Sequence, residues 1–595
     1  MTTRSEQPGD RANPDGQPAP DVGGAAPGVR RIRRFTLAIA ALALAVYLPG
    51  VWWGVPHATD SNRTHAWAVD DETPLGTLAE IYNIARPDRP GNPGYPLMYA
   101  FMTTAASGPY LGALALTGGL TAPSSEYPFG LTDPVTSIAM LGLIAHIVTA
   151  FLAVLAVLAA WDAGRVALGT RAGVLSALLA MLAYPTVYYA RTGNVDVPML
   201  AFTAMAFAAF VRCVVLGTTV RRCIALGLAV GFALGTKEAA LGAFIGMAAV
   251  LLLARRREMA RESGLGSWTA WRPLVWGLVT AVIALGAGSG FFIAPSRYIA
   301  HLEFLTGRLE SLSAGDTLAV PTFPYTLAGH MAFARQLGLD LARIMTWPGL
   351  VIAAAGTLFL LARKRRLALL ILPAVTYILW MFLTLRAAQL RYMLPGAFLL
   401  VLAQAALIEA AWSARRRMLG VIASAAALVV VGLLALRATD LTWSMLTDTR
   451  YEAGRWIAQR AVPGDRIDYF GASQKLPPIP AGVITETAVP YRGMYSPDDV
   501  SDEAVARILE RWAEVPPRFV LAVPDHTSRP GAPYSRSFPP QLFDAMLSGR
   551  THWQPAVTFE RRRLFPWLRM PPLDYPTVSP PIRIFARDPS LAAGR

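Results

Sequence analysis

Three acids in a row, Asp70, Asp71 and Glu72, stand in the stretch HAWAVDDETPLGTLAEIYN (65–83), a dozen residues after a long apolar run ends at Trp53. A carboxylate in such a place can take a proton from a hydroxyl. It can equally favour the first turn of a helix, where an acid complements the dipole. Two further acids, Asp133 and Asp196, fall at the ends of later apolar segments, as do Lys237, Arg191, Arg386 and Arg391. Acids able to act as bases beside cations able to hold an anion suit a reaction between a hydroxyl and a lipid with a phosphate headgroup.

Other chemistries find little support. GFALGTKE has the wrong spacing for a phosphate-binding loop, and no strand precedes it. HExxH is absent, and the seven histidines do not pair at metal-ligand spacing. His301 and Glu303 lie two apart, which on a helix turns them to different faces. His146 sits in an apolar segment and is expected to pack or hydrogen-bond against a neighbouring helix. Cys213 and Cys223 flank a basic loop with no further ligand near, so neither a disulfide framework nor a thiolate metal site is expected. A divalent cation is compatible with the acids but required by none of them.

The elements that must position these groups are membrane helices. The chain of 595 residues is 54% hydrophobic and only 16% charged, where soluble proteins carry nearer a quarter charged residues. Its apolar residues come in blocks of about twenty, enough to cross ~30 Å of hydrocarbon as helix. The net charge of +15 sits at helix ends, as membrane topology demands, and does not imply nucleic acid.

Residues 1–29, rich in Pro, Gly and Asp, read as a disordered cytoplasmic tail. Residues 30–436 read as a transmembrane module with spans near 35–54, 135–160, 172–189, 197–216, 223–236, 238–254, 273–294, 344–362, 367–384, 393–412 and 418–436. The two short segments 223–236 and 238–254 suggest a tight hairpin. The stretch 95–120, broken by Gly and Pro, reads as helix along the interface. About eleven spans with the N-terminus inside put the clusters Arg30–Arg34, Arg165/Arg171, Arg221/Arg222, Arg255–Arg257, Arg363–Arg366 and Arg415–Arg417 all on the cytoplasmic side. The acidic loop 56–134, the turns around Asp196 and Lys237, and Arg391 then share the outer face. Residues 437–595 carry a helix pattern (TRYEAGRWIAQRAVPGD) and short strands (RIDYF, RFVLAVP, PIRIFAR), and read as a small extracytoplasmic α/β domain.

At this point the motifs resemble a family. VDDETPLGTLAEIYN is similar to the Asp-Glu motif in the first outer loop of lipid carrier-dependent glycosyltransferases of the GT-C fold, among them protein O-mannosyltransferases and the aminoarabinose transferases of lipid A. YPLMYAFM resembles a Pro-Leu-Tyr stretch of that loop, with Gly94-Tyr95 where His-Pro is often found. PTVYYARTGNVDVPMLAF, ALGTKEAAL and LRYMLP resemble the second outer turn, the lysine turn and Arg-Tyr-x-Leu-Pro, and DTRYEAGRWIAQRAVPGD the start of the outer domain. The likeness runs over about residues 35–470.

The resemblance implies a polyprenyl-phosphate sugar donor and transfer, usually with inversion, to a hydroxyl acceptor (glycan, lipid or protein) outside the plasma membrane. It implies Asp71 as catalytic base, with Glu72 and Asp196 in the catalytic set and Arg391 and Lys237 at the donor phosphate. Asp70 either caps a helix or shares the Asp71 role through a one-residue slip, and Glu72 could hold a metal or the acceptor. Arg191 and Arg386 serve either as interface anchors or at the site. Tyr188, Tyr189 and Trp347 fit an interfacial belt. The rival reading, a transporter or flippase for a lipid-linked sugar, predicts midplane charges and internal repeats; the charges here sit at loop ends, and no repeat pairs the halves.

Overall fold

The computed structural model describes residues 27–68, 71, 74–84, 86, 94–124, 126–261, 268–313, 323–385, 387–489, 502–523, 538–568, 570–571 and 578–587. The tail 1–26 and the site candidates Asp70, Glu72 and Arg386 lie outside the described residues.

The first half comprises α1 (Pro27–Tyr47), α2 (Pro74–Tyr82), α3 (Met98–Thr117), α4 (Pro134–Leu168), α5 (Thr170–Leu182), α6 (Tyr184–Tyr189), α7 (Asp196–Leu216), α8 (Val220–Leu234), α9 (Leu241–Arg261) and α10 (Trp268–Gly288). Next come α11 (Pro295–Ser313), α12 (Leu327–Met345), α13 (Trp347–Arg363), α14 (Arg365–Ala368), α15 (Leu372–Thr384), α16 (Leu394–Trp412) and α17 (Arg417–Leu446). Each of the eleven expected spans falls on a helix. Among the described residues, length and composition mark seven helices as able to cross a membrane, or eight if α12 and α13, bent by 107°, form one broken span. The break sits at Thr346, whose Oγ accepts the Gly349 N–H as α13 begins.

Helices α4, α7 and α16 are buried at the centre, whereas α10 and α17 lie outside and expose apolar side chains such as Leu278 and Leu428, 67% and 74% accessible. A lipid-facing helix has this character, since hydrocarbon solvates leucine as well as protein does. The stretch 95–120 folds as the single helix α3, and its Leu116 is 90% exposed.

The expected hairpin of α8 and α9 does not form. Instead α8 packs against α7 and α10, and α9 against α15. Gly227 and Gly231 explain the choice. A Cβ on Gly227 would lie 2.1 Å from the Gly277 carbonyl oxygen, and one on Gly231 2.4 Å from that of Ala281. Only glycine lets the two backbones approach so closely, the small-xxx-small device of membrane helices. This seam fixes the end of α8, and Lys237 follows it.

Beyond α17 the chain forms a mixed sheet of β1 (Arg466–Phe470), β2 (Ile484–Thr487), β3 (Phe519–Ala522), β4 (Gln554–Phe559) and β5 (Ile582–Ala586), in the order β2-β1-β3-β5-β4. β2, β1 and β3 run parallel; β5 is antiparallel to β3 and to β4. Strand alternation splits the core in two. Ile467, Leu521 and Ile584 face α18 (Thr449–Ala458), while Phe470, Val520 and Phe585 join the cluster with α19 (Asp502–Glu514) and α20 (Pro540–Leu547).

This small α/β domain is clamped to the loop that follows α1. Asp448 accepts hydrogen bonds from Trp53 Nε1 at 2.9 Å and from Arg450 Nε and Nη2 at 2.9 and 2.8 Å. The Arg450 guanidinium lies 3.9 Å from the Trp67 ring centroid. Trp67 Nε1 donates to the Leu476 carbonyl, and Lys475 donates to that of Trp67. The clamp ends at Trp67, four residues before Asp71.

Candidate active site

The site lies at one end of the bundle, built from the C-terminal ends of α1 and α8 and the N-terminal ends of α4, α7 and α16. The arginine clusters occupy the opposite helix ends, as the sequence pattern requires.

Asp71 forms its first pole. Its side chain is only 4% exposed. Oδ1 accepts the Gly193 N–H at 2.8 Å, and Oδ2 lies 2.9 Å from His146 Nε2. His146 Nδ1 lies 2.8 Å from the Val51 carbonyl oxygen. That carbonyl can only accept, so Nδ1 carries a hydrogen. One further proton then sits on the axis between Nε2 and Oδ2, on the imidazole or on the carboxyl, because two lone pairs cannot face each other at that distance. The carboxylate is thus pinned by a main-chain donor and a proton-sharing partner.

The second pole is Asp196 at the start of α7, set between two cations. Lys237 Nζ lies 2.5 Å from Oδ1, and Arg391 Nε lies 3.6 Å from Oδ2. Arg391 Nε also donates to Gln389 Oε1 at 2.8 Å. Tyr392 lies beside both cations, its ring centroid 5.4 Å from Lys237 Nζ and 5.5 Å from the Arg391 guanidinium, and Tyr95 flanks Lys237 at 5.5 Å. Tyr377 fixes this segment by donating to the Tyr392 carbonyl. Both cations therefore approach the Asp196 carboxylate, beside aromatic faces that attract cations.

A single turn joins the poles. Gly193 donates to Asp71, and Asn194 Oδ1 accepts the Asp196 N–H at 2.7 Å. Thr192, Asn194 and Asp196 are all buried.

Other candidates fall into structural roles. Arg191 is fully buried and donates to the carbonyls of Pro49, Val187 and Val46 and to Thr442 Oγ, tying α1, α6 and α17 together. Asp133 is exposed and caps α4 by accepting the Thr136 N–H, bonds that hold its carboxyl below the usual range. Tyr188 and Tyr189 are buried, not part of an interfacial belt: their rings meet edge-on at 4.8 Å, and Tyr188 meets Trp53 at 5.9 Å. Trp347 is 62% exposed. His301 pairs with Glu238, 2.5 Å from Nε2, rather than with Glu303.

Two partners have no assigned place in the sequence motifs: His146, expected to pack or hydrogen-bond against a neighbouring helix, bonds to Val51 and Asp71, and Gln389 accepts from Arg391. The available signal for His146 was its place in an apolar span, where an ionisable residue is expensive and by default functional. Among the described residues, no three His, Cys, Asp or Glu side chains gather to hold a metal ion.

Residues 135–283 match the family model described as dolichyl-phosphate-mannose-protein mannosyltransferase. That segment contains His146, the Gly193–Asp196 turn and Lys237, so the family match and the motif resemblance meet on the site. No curated protein matches the chain. Similar solved structures include ArnT from Cupriavidus metallidurans in the apo state, at 13% identity and a TM-score of 0.47, covering 95% of this chain and all of that one. The same protein bound to undecaprenyl phosphate matches at 12% identity and TM-score 0.47, over 94% and 99% of the two chains. The apo oligosaccharyltransferase of Archaeoglobus fulgidus matches at 11% and 0.38, over 82% and 70%. At these levels the reading rests on the family match and the site's own geometry.

Proposed function

We propose that this chain is an integral membrane glycosyltransferase that moves a sugar from a polyprenyl-phosphate donor to a hydroxyl acceptor at the outer face of the plasma membrane. One observation carries the reading. A pinned carboxylate, Asp71, and a pair of cations, Lys237 and Arg391, are held in one buried network through the turn from Gly193 to Asp196.

The hydroxyl oxygen of the acceptor bonds to the anomeric carbon as the bond from that carbon to the phosphate oxygen breaks. Asp71 takes the hydroxyl proton, help typically worth about 10²–10⁴-fold. Polyprenyl phosphate leaves with more negative charge than it had in the donor. Lys237 and Arg391 meet that growing charge in a site fixed beforehand, so their stabilisation costs little reorganisation during the step. His146 is a positioning residue, holding Oδ2 of Asp71 and the proton between them. Asp196 positions the two cations. Glu72, next to Asp71 in the sequence, is assigned to binding the acceptor.

The test is direct. Purified protein incubated with radiolabelled polyprenyl-phosphate sugar should transfer the label or slowly hydrolyse the donor, and Asp71→Asn should slow transfer by about 10²-fold or more. Vectorial movement of intact donor across vesicles without bond cleavage would make the chain a transporter.

A further inference from the structure

At the end of the bundle opposite Asp71, α1, α5, α16 and α17 line an open groove of about 1570 Å³. Measured along α4, this end lies about 35 Å from His146, at ~1.5 Å per residue. Its walls are apolar, with Phe35, Leu178 and Leu428 among them. Its floor is a stripe of small residues on one face of α17, Gly420, Ser424 and Ala427. A Cβ built on Gly420 meets nothing within 4 Å. Trp412 from α16 closes one side, its Nε1 donating to Ser424 Oγ at 3.0 Å.

The mouth is strongly basic. Arg31, Arg171, Arg416 and Arg417 line it against a single acid, Glu409. All four arginines are exposed, and none has an acidic partner among the described residues. Two helices also begin there. α5 starts at Thr170 after Gly169, and α17 starts at Arg417; both first residues line the groove, and neither helix has a side-chain cap on its first N–H groups. Free N–H groups at a helix start favour an anion. Guanidinium favours phosphate in particular, since it can bond two of its oxygens at once.

We propose that this groove is a binding site for one anionic glycerophospholipid, with the phosphate among the four arginines and the acyl chains along the small-residue face of α17. Basic pockets between membrane helices on the cytoplasmic side hold anionic headgroups in this way. A zwitterionic lipid carries no net charge and would leave the excess of cations unmatched. Bound there, the lipid fastens the peripheral helices α1 and α17 to the buried α5 and α16. The site is separate from the proposed transfer reaction and does not depend on it.

Native mass spectrometry of the full chain in a neutral detergent tests this, with phosphatidylglycerol and phosphatidylcholine of identical acyl chains as probes. The expected result is one retained phosphatidylglycerol at a concentration at least tenfold lower than for phosphatidylcholine, weakening as salt rises. The triple variant Arg171→Gln, Arg416→Gln, Arg417→Gln should lose the preference. Arg363→Gln with Arg365→Gln, at the same end but outside the groove, should keep it. Gly420→Trp, which fills the groove and leaves every arginine, should lose retention; Ser424→Leu is the milder second variant. Melting temperatures in lipid-free detergent identify folded variants. Equal retention of the two lipids, equal loss in the control pair, or undiminished binding by folded Gly420→Trp would each overturn the site.

Discussion

The carboxylate of Asp71 and the imidazole of His146 face each other at 2.9 Å across 75 residues of sequence, both almost fully shielded from solvent. Because His146 Nδ1 is committed to the Val51 carbonyl, the pair holds one shared proton. Removing the histidine therefore alters both where Asp71 points and what shares its proton. Asp71→Asn should lower turnover by about 10²-fold or more with expression unchanged. His146→Gln should lower kcat by roughly 10- to 100-fold, the scale of a small misplacement, with little change in donor KM. It should also change the shape of the pH–rate profile. A packing role alone would scale the profile uniformly at every pH, and that outcome would remove His146 from the site.

The separation of the two helix ends gives a topology prediction. Reporter fusions after Asp196, Lys237, Arg391 and Trp456 should report the outer compartment, and fusions after Arg222, Arg257, Arg366 and Arg417 the cytoplasm. A cytoplasmic signal at Trp456 would put the α/β domain and its clamp on the wrong side of the bilayer.

Much of this was legible in the sequence because hydropathy and charge act locally. The arginine clusters and apolar blocks locate the helices, and RIDYF coincides with β1 because its residues alternate between two buried faces. β2 and β4 were missed; ITET and QPAVTF are edge strands with partly exposed residues, and so lack the dense apolar pattern of a central strand. The motif acids and cations stand out in the sequence by type and by place at the ends of apolar blocks, but their pairing does not. Nothing in the local sequence says that Arg191 spends its guanidinium on three carbonyls and a threonine while Arg391 faces Asp196. Nor does local hydropathy separate α8 from α9: the Gly227/Gly231 seam makes sense only once its partner α10 is known.

His57, in the outer loop, stacks on Trp67 with ring centroids 5.9 Å apart. Burial, aided by the nearby Arg63 and Arg450 charges, pushes its pKa down to about 4 from 6.5. A histidine whose folded pKa is depressed contributes stability that is complete above 6.5 and is lost as pH falls toward 4. The full shift corresponds to about 3 kcal/mol. Thermal melting in detergent should therefore fall between pH 6.5 and pH 4, and His57→Gln should flatten that part of the curve. An unchanged slope in the variant would assign the acid sensitivity elsewhere.

The Asp448–Arg450 pair is buried, at 0% and 1% side-chain exposure, and joins the α/β domain to the loop that carries Asp71. Arg450→Ala leaves the Asp448 charge buried with neutral donors alone: Trp53 Nε1, the Ser579 N–H and the backbone N–H of residue 450. Breaking such a pair costs about 3–5 kcal/mol. Limited proteolysis should then cut between α17 and β1 faster than in the parent. Because Trp67 loses the cation above its ring, transfer activity should fall too, although Arg450 touches no reacting group. Unaltered proteolysis and activity would show that the clamp is dispensable.

The cation pole separates the roles of Asp196, Lys237 and Arg391. At ~4 Å and an effective dielectric of ~20, a cation and a phosphate charge attract by about 4 kcal/mol before desolvation. Arg391→Ala should weaken donor binding and turnover together. Arg391→Lys should recover only part of both, since ammonium cannot reproduce two parallel N–H bonds to phosphate. A lysine variant with parental kinetics would make Arg391 a helix anchor. Lys237→Met should resemble Arg391→Ala, because both cations share one counter-ion. Asp196→Asn removes that counter-ion and leaves two like charges facing across Tyr392. Donor affinity should drop along with kcat, as the cations move apart and lose their fixed aim. If Asp196 were instead the base, Asp196→Asn would bind donor as tightly as the parent and fail only in turnover, matching Asp71→Asn. Donor titration and single-turnover rates on the same folded variants separate these patterns, because one role acts through the phosphate and the other through the acceptor's proton.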